Sequence, residues 1–171
     1  MEAGLLFIFA RKTSACQRVV TRSAGYFDVA VRGVRVCVRP ESMNGAIARL
    51  LKQYPAVFVV GAAPGPRPEC AGQIFNTLHV PPDENGEPRG ILRLSGPEKT
   101  GYLIESADQA IVLLPDDPYE ILRMAPAAFA RLKRKFVLPG EFPRVGRPDY
   151  EALITACMER AEPSGSAPAE P

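Results

Sequence analysis

A chain of 171 residues, 46% hydrophobic and 23% charged, carries enough apolar surface for one full core and has the composition of an ordinary globular domain. Lysine plus arginine outnumber aspartate plus glutamate by only 21 to 19, which excludes the strong basic excess of a non-specific nucleic-acid binder. Four cysteines with no CxxC pair exclude a zinc ribbon or a disulfide framework, and a single histidine, His79, excludes a multi-histidine metal centre.

The first apolar run, Gly4 to Ala10, is too short to span a membrane and follows Glu2 rather than a basic segment, so a cytoplasmic protein is expected. Leu5 to Phe9 reads as a strand, Thr13 to Ala24 as a helix and Val34 to Val38 as a second strand. Ser42 is a candidate cap for a helix running to about Tyr54, because Ile47, Leu50, Leu51 and Tyr54 recur at helical spacing. Val57 to Val60 is a strand, and Pro68 to about Leu78 a helix. Between Val80 and Ser95 the prolines 81, 82 and 88 and the pair Asn85-Gly86 are turn chemistry, followed by a short strand within Gly90 to Leu94; a hairpin-like excursion is expected.

Strands follow at Gly101 to Glu105 and Ala110 to Leu114, the second apolar at every position, as a strand buried on both faces requires. It breaks at Pro115 and restarts as a helix, with Asp117 at the N-cap, Pro118 at the first helical position and Glu120 three residues after the cap. Ile121, Ala125, Ala128, Phe129, Leu132 and Phe136 mark one face of that helix, in which Pro126 should produce a kink or an early break. The cluster Arg131, Lys133, Arg134, Lys135 reads as a solvated face complementing the helix dipole. A last helix is expected over Tyr150 to Ala161, giving one domain over 1–161, and residues 162–171 lack core-forming side chains and read as a disordered tail. The alternation gives an α/β fold, a three-layer sandwich with a mainly parallel central sheet.

Three loops can carry chemistry. The strand ending at Val60 runs into Gly61-Ala62-Ala63-Pro64-Gly65-Pro66, where small residues let a ligand come close to backbone, although the spacing is neither a Walker nor a GxGxxG motif. A second loop, Leu94 to Gly101, offers Ser95 and Lys99. The third is the Leu114-Pro115-Asp116-Asp117-Pro118 turn, where a helix start offers N–H groups to an anion while two aspartates favour a cation. In an open α/β sheet such loops converge at the strand ends. His79, flanked by prolines, reads as a loop residue rather than a catalytic one.

The order of these pieces resembles the molybdopterin-binding domain shared by molybdopterin adenylyltransferases and the competence-damage-inducible protein A group. Gly65-Pro66-Arg67-Pro68-Glu69-Cys70 resembles the family's GPTxDD element, and Leu114-Pro115-Asp116-Asp117-Pro118-Tyr119-Glu120 its LPGxPxE element; the likeness extends over about Val34 to Phe136. It departs at Gly61-Ala62 in place of a glycine pair, at Glu69 and Cys70 in place of two aspartates, and at Asp116 in place of glycine. The resemblance implies a molybdopterin- or nucleotide-phosphate-binding domain of molybdenum cofactor biosynthesis, and the departures imply weakened or absent catalysis. It makes Glu69, Asp116 and Asp117 the candidate catalytic residues and Gly61, Ala62, Gly65, Pro66, Ser95, Lys99 and Pro115 the ligand-binding ones, with Mg²⁺ on Glu69 and Asp116. The alternatives are a degenerate, non-catalytic scaffold for protein association and a Mg²⁺-dependent nucleotide pyrophosphatase. A homo-oligomer is expected, with a small phosphate-bearing ligand rather than a membrane or a nucleic acid as partner.

Overall fold

The computed structural model describes residues 1–62, 69–84 and 88–143. In chain order these form β1 (Glu2–Ile8), α1 (Thr13–Gly25), β2 (Ala30–Cys37), a 3₁₀ turn (Pro40–Ser42), α2 (Met43–Leu51), β3 (Ala56–Val60), α3 (Glu69–Thr77), β4 (Leu92–Ser95), β5 (Thr100–Glu105), β6 (Ala110–Leu114) and α4 (Pro118–Phe136). The expected helix over Tyr150 to Ala161, the tail, the Asn85-Gly86 turn and Cys157 lie outside the described residues.

The strands make one sheet in the order β2-β1-β3-β6-β5-β4. β2, β1, β3 and β6 run parallel, while β5 is antiparallel to both β6 and β4. The apolar runs explain the arrangement. All five residues of β3 and all five of β6 are buried, as a central parallel strand covered on both faces demands. Side chains alternate across the sheet, so Leu5, Phe7, Phe58, Val112 and Leu114 join one core with α1 and α4, while Leu6, Ile8, Val57, Val59, Ile111 and Leu113 join another with α2 and α3. Three layers result. Within the expected excursion of Val80 to Ser95 an isolated antiparallel bridge joins Pro82 to Pro88 and β4 forms, and β4 then pairs antiparallel with β5, Leu92 opposite Leu103 and Ser95 opposite Thr100.

α4 does not break at Pro126 and continues to Phe136. Pro126 and Leu122, whose carbonyl loses its intrahelical donor, are both exposed, so the proline ring and the freed carbonyl face water. Ser42 occupies the N-cap of α2 without capping it through its side chain; its hydroxyl donates to the Arg39 carbonyl instead (2.9 Å). Cys16 and Cys37 are free and buried, as the sequence implied. The basic cluster on α4 ties the fold together rather than merely facing solvent. Arg131 pairs with Glu105 (2.7 Å), Lys133 Nζ donates to the Gly140 carbonyl (2.7 Å), and Lys135 Nζ donates to the Ser106 and Ala107 carbonyls (2.6 and 3.1 Å).

Candidate functional site

The chain leaves β1 for β2 on one side and later returns to β3 on the other, so the strand order reverses between β1 and β3. At such a switch point the loops diverge and leave a crevice at the carboxyl ends of the strands. Three loops meet there: Phe9 to Lys12 after β1, Gly61 and Ala62 after β3, and Pro115 to Asp117 after β6.

Gly61 is the floor of this crevice. Its φ is +94°, and a Cβ there would collide with the Ile8 carbonyl oxygen, so glycine is required for both conformation and space. The Gly61 N–H donates to the Leu114 carbonyl (2.9 Å), which binds the β3 loop to the β6 loop. Ala62 is fully buried beside it.

Asp116 reaches across β3 to the start of α1. The Arg11 N–H donates to Asp116 Oδ2 (2.6 Å) and the Lys12 N–H to Oδ1 (3.1 Å). Lys12 is the N-cap of α1 and has no side-chain cap of its own, so a carboxylate from the β6 loop serves the helix N-terminus in its place. The Cys16 thiol, fully buried one turn into α1, lies 3.7 Å from Asp116 Oδ1; burial first and the Asp116 charge second push this thiol up to about 12.

Asp117 caps α4 as its sequence position predicts, accepting from the Tyr119 N–H (3.0 Å) and the Glu120 N–H (3.4 Å). It also pairs with Lys12 Nζ at 2.6 Å. That hydrogen bond is the main reason the Asp117 carboxyl sits below its ordinary range and the Lys12 ammonium above its own. Glu120 departs from the capping-box expectation: it is 4% exposed and accepts from the Glu98 N–H (3.0 Å) and the Lys99 N–H (3.4 Å), not from the cap residue. It thereby pins the Ser95 to Lys99 turn against the first turn of α4.

Of the residues singled out from the sequence, Gly61, Ala62, Pro115, Asp116 and Asp117 come together, and Ser95 and Lys99 lie on the turn that Glu120 attaches to the same helix. Glu69 begins α3, but its side chain, like Gly65 and Pro66, falls outside the described residues. Sequence reasoning missed Arg11, Lys12 and Cys16, which lie 100 or more positions from Asp116 and Asp117, and no local motif marks them. His79 is exposed and sits away from the crevice. It lines a cavity of about 330 Å³ at the other end of the sheet, with Leu51, Arg89 and Gln109.

Asp116 accepts from two backbone amides, and Asp117 from two amides and an ammonium, so a Mg²⁺ held by Asp116 would share its oxygens with these donors. Among the described residues no group of three or more His, Cys, Asp or Glu side chains gathers into a metal-binding set. No helix among them is long and apolar enough to cross a membrane.

No family model and no curated protein matches the sequence. Solved structures do match the backbone. The CinA protein of Thermoplasma acidophilum, itself of unknown function, superposes with a TM-score of 0.58 over 80% of this chain and 97% of that one, at 13% identity. The molybdopterin biosynthesis enzyme MoaB of Thermus thermophilus superposes with a TM-score of 0.52 over 82% of this chain and 99% of that one, at 11% identity. The chain shares the fold of CinA and MoaB. The expected α/β architecture and the resemblance to the molybdopterin-binding domain agree with the backbone likeness at the level of the fold.

Proposed function

We propose that the crevice binds a phosphate-bearing ligand of the molybdopterin or nucleotide type, weakly and with little or no turnover. One observation carries this reading: an anion, the Asp116 carboxylate, already sits on the Arg11 and Lys12 amides at the switch point. A helix start and a lysine form an anion receptor. An incoming phosphate competes with Asp116 for the same donors, which is why affinity is low. Gly61 gives the ligand close access to backbone, with Ala62 buried beneath it; Pro115 lies beside them, Ser95 and Lys99 supply a hydroxyl and an ammonium, and Gly65 and Pro66 are assigned to the same site by the family resemblance alone. The resemblance assigns Glu69 and Asp117 to orient a reacting group, a role that Asp117 takes only by giving up Lys12 and the amides it caps. The likeness to a molybdopterin biosynthesis enzyme supports the ligand class.

The second reading is a non-catalytic scaffold for protein association. The mutual satisfaction of Asp116, Asp117 and Lys12 favours it, because a sealed crevice does no binding. Thermal shift with molybdopterin precursors, ATP and ADP-ribose, each with and without Mg²⁺, separates the two. Ligand-dependent stabilisation that persists without Mg²⁺ supports the binding domain, and none with any ligand, in either wild type or Asp116→Gly, leaves the scaffold. A homo-oligomer is proposed with either reading and is checked by sedimentation of the full chain.

A further inference from the structure

We propose that the corner between the end of β2 and the first two turns of α2 is a separate site for a small phosphate-bearing anion. β2 is an edge strand, alternation puts Arg35 on the same face as Cys37, which packs against α2, and Arg39, two residues past the strand, lines the same cavity. On α2 the positions Ser42, Ala46 and Arg49 recur at helical spacing and turn toward that face. The two periods bring three guanidinium groups, Arg35, Arg39 and Arg49, around one cavity of about 400 Å³, a volume within the ordinary range for a small ligand.

All three arginines are exposed, and among the described residues none has an ion-pair partner. No residue lining the cavity is acidic; Glu41, the nearest carboxylate in sequence, is not part of the lining. Three like charges around one concavity repel one another, and an anion with two or more charges relieves that repulsion. The forked donors of arginine match phosphate oxygens in pairs, so a phosphate fits better than a lone carboxylate. The turn is also held in place. Ser42 Oγ donates to the Arg39 carbonyl (2.9 Å), and Cys37 Sγ lies 3.2 Å from Ser42 Oγ and 3.1 Å from the Arg39 carbonyl oxygen, fixing the backbone that carries Arg39. Asp116 and Asp117 do not line this corner, and the crevice touches it only where the Phe9 N–H donates to the Cys37 carbonyl (3.4 Å).

Calorimetry on the full chain at low salt tests it, with inorganic pyrophosphate and ATP as separate titrants. Binding of pyrophosphate alone assigns an inorganic ligand, and binding of ATP assigns a nucleotide. The pair Arg39→Gln with Arg49→Gln is expected to weaken the bound probe by about tenfold or more, and Arg39→Lys with Arg49→Lys, which keeps charge but loses the fork, by several-fold. Lys12→Ala, at the crevice, is expected to weaken only the weaker crevice binding of ATP and to leave in place the component lost with the arginine variants. Loss with Lys12→Ala but not with the arginine variants would move the binding to the crevice and overturn the proposal. So would failure of both probes to bind at millimolar concentration, or binding of a single-stranded oligonucleotide in their place. Charge on an edge strand also guards against strand pairing; aggregation of the glutamine variant with unchanged affinity in its monomer fraction would make that the role of the arginines. Circular dichroism confirms folding, and Arg49→Gln alone serves if the double variant is unstable.

Discussion

The crevice and the β2 corner lie at the same end of the sheet and handle charge in opposite ways. In the crevice Asp116 has two amides, Asp117 has two amides and Lys12, and Glu120, a few residues on, has two amides of the β4–β5 turn. At the corner three arginines share a cavity with no internal counter-charge among the described residues. The difference shows that charge density in a loop is a poor guide to unpaired charge, because carboxylates at helix starts are engaged by the N–H groups they cap.

The largest expected effect bears on the floor of the crevice. Gly61→Ala places a Cβ against the Ile8 carbonyl at a positive φ, and neither strand end can move without disturbing the β1–β3 pairing. A loss of about 3 kcal/mol in urea unfolding is expected. A loss below about 1 kcal/mol would mean that the floor is pliable and the crevice can reshape. No glycine of comparable constraint lines the corner, so the contrast is direct.

Glu120→Ala comes next. It strips the Glu98 and Lys99 amides of their acceptor and removes a buried carboxylate, with an expected cost of about 2 kcal/mol. Hydrogen exchange should accelerate at Glu98 and Lys99 while β3 and β6 stay protected. Uniform acceleration throughout the sheet would show that Glu120 supports the whole fold rather than one turn.

Asp116→Gly sharpens the comparison by turning the crevice into something like the corner. α1 loses its cap, at a cost of about 1 kcal/mol, and the Arg11 and Lys12 amides become free. Stability should fall while affinity for ATP rises, by about fivefold if the released donors contribute about 1 kcal/mol. Opposite signs from one substitution are the signature of competition; a parallel fall in both would make Asp116 part of the binding apparatus.

What the sequence displayed and what it concealed divide along the same line. β3 and β6 were visible because continuous apolar runs leave few alternatives, and the start of α4 was visible because Asp117, Pro118 and the helix they begin are adjacent in sequence. The partners of Asp116 were invisible because Arg11 and Lys12 meet it only after β1, β3 and β6 align. Glu120 has the spacing of a capping box, but a turn from another strand pair offered it two donors in a buried setting, and tertiary context prevailed over the local motif. Ser42 failed as a side-chain cap because the preceding 3₁₀ turn holds its backbone near the helical region (φ −90°, ψ −6°) instead of the extended one a capping side chain needs. The corner arginines were legible as residues but not as a group, since edge position and helix register had to be known first.

A smaller effect concerns acid stability. Lys12 holds the Asp117 carboxyl below its ordinary range, so the folded state resists its protonation more than the unfolded chain does. The contribution is complete above the ordinary carboxylate value, and it is lost as pH falls through the lower folded one. Asp117→Asn should therefore flatten the acid limb of the stability profile below about pH 4, while stability measured near pH 7 drops modestly for a pair this exposed to solvent. An unchanged acid limb would show that the pair persists or vanishes equally in both states.

The smallest effect lies at Cys16. Its thiol is fully buried and pushed up to about 12 by burial and by the Asp116 charge, so at pH 8 it is protonated and inaccessible. Labelling with a thiol reagent should proceed at the rate of global unfolding. Because the folded state favours the protonated thiol, its contribution to stability is complete below the unfolded value near 9 and is lost as pH rises from there toward 12. Asp116→Gly tests the cause: removing the second contributor should lower the folded value modestly and leave burial as the main one. Rapid labelling of the wild type at pH 8 under native conditions would mean that the Asp116 bridge opens readily. The sealed crevice would then be as open to solvent as the corner, and the contrast between the two regions would collapse.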